Sequence, residues 1–235
     1  MLKRFGSEYG GFTYPSNLDG LSNNSIIYCF GAGEDISHDI EIAHQLNSNV
    51  YIFDPTPRSI LHVNYIKNIF NNIEEPLNNT RYGGGDINYI KNILSNKINP
   101  NNIIFQDCGI YIKNDILKFY KPSNTEYVSH SLVKGMKSND YINVEVKTLK
   151  TIMKEYGHDK IDLLKLDIEG SECDVLDDML NNNIYPKYLS VDFDLGYNGE
   201  NFRDLNRCNE TINKLTNNGY NILFSDKSDY SFVLN

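Results

Sequence analysis

Runs of apolar, β-branched residues alternate with amphipathic stretches through most of the chain, the pattern of an α/β domain built on a mainly parallel sheet. SIIYCF at 25–30 ends in GAGED and leads into SHDIEIAHQL, where Ser37 is placed to cap a helix whose first turn carries Asp39 and Glu41. NVYIFD at 49–54 predicts a second strand, and TPRSILHVNYIKNIF a second helix with Thr56 as cap and Pro57 at the first helical position. Residues 72–101 are polar, with a Gly83-Gly84-Gly85 turn before the short amphipathic INYIKNIL, and read as an inserted loop and helix outside the core, in the position of a lid. NIIFQD at 102–107 predicts a third core strand, and GIYIKNDILKFYKP a hairpin turning at Asn114-Asp115. INVEVKT alternates as an edge strand, and LKTIMKEYG is a helix capped by Thr148.

DLLKLDIEG at 162–170 is apolar on nearly every residue before its acidic end, as expected of a central parallel strand covered on both faces. A helix, SECDVLDDML, follows it. YLSVDFDL (188–195), the helical FRDLNRCNETINKLTNNG, and NILFSD with YSFVLN complete the order, the last two as an antiparallel hairpin through Lys227-Ser228. The expectation is one domain over 1–235, with an N-terminal segment at 1–24, seven core strands ending in an antiparallel hairpin, and helices on both faces. No internal repeat or linker divides it.

Composition narrows the function classes. Of 235 residues, 40% are hydrophobic and 23% charged, which excludes a disordered tail or a fibre. Thirty-one acidic residues against 22 basic ones give a net charge of -9, the wrong sign for a nucleic-acid binder. No apolar run approaches the roughly 20 residues of a membrane span, and the start lacks a signal-peptide pattern. Cys29, Cys108, Cys173 and Cys208 are scattered without a CxxC, which favours reduced thiols and a cytoplasmic setting, host cytoplasm if the source is viral. The sequons at Asn23, Asn78 and Asn209 come without an export signal and carry no weight. Only two alanines, Ala32 and Ala43, and no Trp point to an AT-rich genome.

In an open parallel sheet, ligands bind beyond the carboxyl ends of the strands, so residues after 30, 54, 107, 167 and 192 should converge. Gly31 and Gly33 let backbone approach a ligand, and the following helix offers free N–H groups. Asp54, about 21 residues after Gly33, has the spacing of a carboxylate that accepts from both hydroxyls of a ribose. GAGEDIS lacks the third glycine of GxGxxG and carries Glu34 and Asp35 where a pyrophosphate would need neutral or positive surroundings. S-adenosylmethionine suits this turn better than NAD, having a ribose, no phosphate, and positive sulfonium and ammonium groups. The turns supply a candidate cofactor set of Gly31, Ala32, Gly33, Glu34, Asp35, Ser37, Asp54, Asp107 and Cys108.

YGGFTYP, FGAGEDISHDIEIA, VYIFDPTPRSI, VSHSL and above all IDLLKLDIEGSECDVL resemble FkbM-type S-adenosylmethionine-dependent methyltransferases over roughly Tyr9 to Asn235, with K-x-D-x-E-G-x-E the most specific part. The resemblance implies a class I methyltransferase Rossmann-like fold, cofactor held by Gly31, Gly33 and Asp54, and O-methylation of a hydroxyl on a sugar, glycan or glycosylated metabolite. Two departures from the family pattern stand out: Phe12 where relatives often carry Trp, and VDFDLGY where Glu and often His are expected.

Methyl transfer to a hydroxyl needs alignment and removal of the hydroxyl proton. Two arrangements could remove it. His130 in VSHSL could act as general base; alternatively Asp167 and Glu169 could join Asp192 or Asp194 around magnesium or another divalent cation, each pair sharing a strand face by alternation. The catalytic candidates are thus His130, Asp167 and Glu169, and the metal candidates Asp167, Asp192 and Asp194. Lys165 shares the Asp167 face as an ion-pair partner. Tyr9, Phe12 and Tyr14 read as residues that pin the N-terminal segment, and His38, His44, His62 and His158 as ordinary helix or surface residues. A binding protein without turnover and an NAD-dependent oxidoreductase are the competing classes. The expected partner is a sugar or glycan hydroxyl, with no nucleic acid and no membrane span; homodimerisation is left open.

Overall fold

The computed structural model describes residues 1–71, 87–122, 130–132, 139–193 and 205–235. Seven strands form the main sheet: β3 (Ile27–Phe30), β4 (Val50–Phe53), β5 (Ile103–Gln106), β9 (Leu163–Leu166), β10 (Tyr188–Asp192), β11 (Tyr220–Asp226) and β12 (Asp229–Leu234). Their spatial order is β11-β12-β10-β9-β3-β4-β5. The five strands from β5 to β10 run parallel, and β12 is antiparallel to both β10 and β11. This is the class I methyltransferase outline with its terminal hairpin, and the switch point lies between β3 and β9.

Alternation along the strands sorts the interior into two layers. Ile27 and Cys29 of β3, Val50 and Ile52 of β4 and Leu163 of β9 meet α1 (Ser37–Leu46), α2 (Pro57–Phe70) and α3 (Ile87–Ser95) on one face. Tyr28, Phe30, Tyr51, Phe53, Leu164 and Leu166 meet α4 (Leu149–Tyr156), α5 (Glu172–Asn181) and α6 (Leu205–Asn217) on the other. Among the described residues, no helix is long and apolar enough to cross a membrane.

Several local expectations change. Ser37 does not cap α1: it is the first helical residue, Ile36 holds the cap position, and the Ser37 hydroxyl accepts from the Ser7 amide at 2.7 Å. Thr56 and Pro57 occupy the predicted positions, but the Thr56 hydroxyl pairs with Ser59 rather than with backbone. Thr148 does cap α4, accepting from Thr151 N at 3.1 Å. No hairpin turns at Asn114-Asp115. Instead β8 (Tyr141–Lys147) lies at the centre of a small sheet, parallel to β6 (Gly109–Ile110) on one side and antiparallel to β7 (Asp115–Tyr120) on the other, so it is no edge strand. The reason lies in Asn114, whose amide bonds Thr148 N and Thr151 Oγ1 and so ties the turn to the start of α4.

The segment read as a lid divides. Residues 72–86 lie outside the described residues, but α3 is core: Tyr89, Ile90 and Ile93 are buried against α1. The Tyr89 hydroxyl accepts from Ile36 N at 2.9 Å and meets His62 Nε2 at 2.8 Å. The N-terminal segment is likewise built in. β1 (Leu2–Phe5) and β2 (Phe12–Pro15) pair antiparallel, Phe5, Phe12 and Tyr14 are buried, and Glu41 of α1 takes the Gly6 amide and Lys3 at 2.7 Å each.

Tyr89→Phe should destabilise the protein by about 1–3 kcal/mol in urea unfolding, because it strands a buried amide and a buried imidazole; a lid helix would leave the midpoint unchanged. Burial holds the His62 imidazole down at about 3, against an unfolded value near 6.5. The unfolded chain therefore binds the proton first, and stability is whole above pH about 6.5 and falls as pH drops toward 3. His62→Gln should lose less stability than wild type between neutral and acid pH.

Candidate functional site

A cleft of about 950 Å³, counting space open to solvent, lies beyond the carboxyl ends of β3, β4, β9 and β10. Its floor is the turn after β3. Gly31 has φ +86°, and a Cβ there would stand 1.8 Å from the Asp167 carbonyl oxygen, so the close passage of β9 requires glycine. The turn is gripped from two sides. Lys165 Nζ, buried in β9, donates to the Gly31 carbonyl at 2.8 Å. Asp54 Oδ2 accepts from Ala32 N at 2.9 Å, Gly33 N at 3.0 Å and Ser59 Oγ at 2.8 Å, while Oδ1 accepts from Thr56 N at 2.8 Å.

The acidic residues of the turn have partners too. Glu34 takes a bidentate pair from Arg58, at 2.7 Å from Nε and 2.6 Å from Nη2. Asp35 Oδ2 accepts from Ser7 Oγ at 2.5 Å and Oδ1 from Ser37 N at 2.9 Å, which fastens the N-terminal segment to the cleft.

Each polar member of K-x-D-x-E-G-x-E has its own task. Lys165 holds the glycine turn. Asp167 continues β9, its amide donating to Phe30 O at 3.1 Å. Burial lifts its carboxyl well above the ordinary range, Lys165 opposes the rise, and Asp192 and Glu169 add to it. Glu169 is left-handed, with φ +58°, so strand alternation stops before it; its carbonyl accepts from Ser131 Oγ, and this bond brings His130 to the cleft wall. Glu172 Oε1 accepts from Ile168 N at 3.2 Å and Gly170 N at 3.0 Å, closing the turn before α5.

Of the residues singled out from sequence, Gly31, Ala32, Gly33, Glu34, Asp35 and Asp54 line the cleft. So do His130, Asp167, Glu169 and Asp192. Ser37 does not; Asp107 is exposed and Cys108 is packed in the core, and Gly109 and Ile110 form that wall in their place. Asp194 lies outside the described residues. Among the described residues, one set of three His, Cys, Asp or Glu ligand atoms falls within 4.8 Å of one another, and it is Cys29, His38 and Asp39 rather than the Asp167 group. That set is buried behind the glycine turn, with the Lys165 ammonium 3.9 Å from Asp39 Oδ2 already supplying positive charge. Sequence reading passed over His38 and Asp39 as residues of a helix start; a lysine in the middle of a buried strand was the available signal that a buried acid must face it. It also missed Tyr9, which stands 82% exposed at the cleft mouth.

Gly31→Ala should prevent stable folding or lower the unfolding midpoint sharply, whereas Gly157→Ala, with φ +70° but nothing within 4 Å of the added Cβ, should cost only about 1–2 kcal/mol of left-handed strain. Thermal unfolding of the two variants separates crowding from conformation.

No curated protein matches the chain in sequence. Among solved structures, it is similar to the fibrillarin pre-rRNA processing protein of Methanococcus jannaschii, with TM-score 0.40 and 13% identity over 91% of this chain and 67% of that one. It is also similar to a chain of a fibrillarin/Nop5p complex, with TM-score 0.40 and 10% identity over 91% and 72% of the two chains. Residues 27–222 match the model of the methyltransferase FkbM domain, and the chain belongs to that family.

Proposed function

We propose that this methyltransferase uses S-adenosylmethionine to methylate a hydroxyl of a sugar, glycan or glycosylated metabolite. The observation that carries the cofactor reading is the charge of the cleft: a glycine turn rimmed by carboxylates, with the neighbouring cations Arg58 and Lys165 engaged by Glu34, Gly31 and Asp39. Such a site suits a ligand with positive charge and a ribose and opposes a pyrophosphate. The residues present fit. Gly31 to Asp35 form a cradle that a Cβ at Gly31 would fill, and Asp54 Oδ1, with one printed donor, keeps acceptor capacity for a ribose hydroxyl.

When bound, the cofactor supplies an electrophilic methyl group; alignment and proton removal fall to the chain. His130 and Asp167 both line the cleft. A carboxyl raised by burial and by neighbouring acids, as at Asp167, holds a proton at higher pH than an exposed one and so becomes a stronger base. Asp192 and Glu169 maintain that elevation. A divalent cation among these acids is the second route to an activated hydroxyl.

Calorimetric titration of metal-stripped protein with S-adenosylmethionine, S-adenosylhomocysteine and NAD tests the proposal. Binding of the first two and not of NAD is expected, weakened at least about tenfold by Asp54→Ala. S-adenosylhomocysteine should then form with a glycan acceptor, and Asp167→Asn should lower kcat more than KM. Binding without turnover across acceptors would favour a binding protein, restoration only by magnesium the cation route, and no adenosyl binding would sink the reading.

A further inference from the structure

The polar lining of the cleft has one sign. Its described residues include Glu34, Asp35, Asp54, Asp167, Glu169 and Asp192, and neither a lysine nor an arginine. Arg58 closes on Glu34, and Asp35 and Asp54 accept from hydroxyl and amide groups of the chain. Asp167, Glu169 and Asp192 are left grouped where β9 and β10 end. Ionised carboxylates only accept hydrogen bonds, so the ligand groups they favour are hydroxyls and ammonium groups, and a phosphate or carboxylate brings like charge into a partly enclosed site.

Tyr9 adds a second, independent feature. Phe5, Phe12 and Tyr14 of the same hairpin are buried, yet Tyr9 is 82% exposed. Its turn is firmly built: Tyr9 N and Gly10 N donate to Ser7 Oγ at 3.1 and 2.9 Å, Gly11 N donates to Ser7 O at 3.1 Å, and Arg4 Nη2 donates to Glu8 O at 2.9 Å. A Cβ on Gly11 would stand 2.5 Å from two carbonyl oxygens, so the turn admits little rearrangement. A rigid turn thus displays a ring with no packing task. The protein crowded around the Tyr9 phenol, together with Asp167, Glu169, Asp35 and Asp192, pushes it up to about 12. Those neighbours put Tyr9 at the β9–β10 end of the cleft, away from the Asp54 end where a ribose fits.

We propose that Tyr9 is the stacking platform for the acceptor, and that the acceptor is a neutral or amino-bearing sugar rather than a sugar phosphate, nucleotide sugar or uronic acid. This rests on the methyl-transfer reading above. The aromatic face covers the apolar C–H face of a pyranose while the three carboxylates receive its hydroxyl or ammonium hydrogens.

Saturation-transfer NMR on the S-adenosylhomocysteine-saturated protein in EDTA, with panels of methyl glycosides, amino sugars, sugar 1-phosphates and uronates, reads acceptor contact without needing turnover. Neutral and amino sugars should bind, and their anionic counterparts should bind at least about tenfold more weakly. Tyr9→Ala should weaken the binders about tenfold, the size of one good stacking contact, with cofactor affinity by calorimetry unchanged, and Tyr9→Phe should restore them. Preference for the anionic sugars, no contact by any neutral or amino sugar, or unchanged binding by Tyr9→Ala overturns the inference. So does added magnesium making the sugar phosphates the better ligands, since the acids would then serve a cation. Failure of wild type to bind S-adenosylmethionine strikes the parent reading alone, because the panels can be repeated on the protein without cofactor.

Discussion

The ammonium of Lys165 lies fully buried in the central strand of the sheet, and the geometry of the cleft follows from where its partners must be. Burial by itself would lower its pKa, but Asp39 and Asp167 outweigh burial and hold it raised. Burial would raise Asp39 in turn, and Lys165 and His38 more than offset that. The pair therefore stays charged in the interior. A buried pair adds little net stability, but loss of one partner leaves a bare charge that costs about 3–5 kcal/mol. Its value is in register: it fixes the first turn of α1 against β9 and, through the Gly31 carbonyl, the turn between them. From His38 the contacts continue to Tyr14 of the N-terminal hairpin at 3.2 Å and on to Ser190 of β10.

With its carbonyl side held by an ammonium and its amide side by Asp54, the glycine turn reaches the cleft already organised. That matters for chemistry, because a methyl transfer depends on alignment more than on any single polar contact. The same buried cation tempers the acids beyond it. Lys165 faces Asp39 on one side and Asp167 on the other, so part of its field opposes the elevation of Asp167 that burial, Asp192 and Glu169 produce. Fold and site thus share one charged residue, and the motif around it is read best as a structural device that also sets a proton affinity.

The sequence carried the main sheet well because its strands are short, β-branched and covered on both faces, and each ends in a glycine or an acid. Gly31, Asp54 and Asp167 followed from that regularity. Asn114-Asp115 misled because a turn-forming pair says nothing of what its side chains bond, and here they bond the start of α4. INYIKNIL looked peripheral because it is short and follows a polar stretch; only the hydrogen bonds of Tyr89 to partners 53 and 27 residues away reveal it as core. Glu169 escaped a face assignment because alternation holds only while the backbone stays extended. Tyr9 was invisible for a simpler reason: its neighbours Phe12 and Tyr14 are buried, and composition cannot separate an aromatic that packs from one that is displayed.

The family match begins at residue 27, after the N-terminal hairpin. Yet the hairpin is not an appendage: its aromatics fill the α1 side of the core, Ser7 bonds Asp35 in the cofactor turn, and Tyr9 and Gly10 form part of the cleft wall. The matched region supplies the glycine turn, Asp54 and the β9 acids, which any member needs to hold one common cofactor. The segment before it meets the cleft at the opposite end, among acids that a ribose at Asp54 leaves uncovered. Such a division lets the acceptor end change with the hairpin while the cofactor end stays fixed by Lys165 and Asp54. Because Ser7 and Gly6 bind the hairpin to α1 through Asp35, Ser37 and Glu41, the two ends are mechanically joined, and a ligand that settles against Tyr9 bears on the same helix that orders the glycine turn.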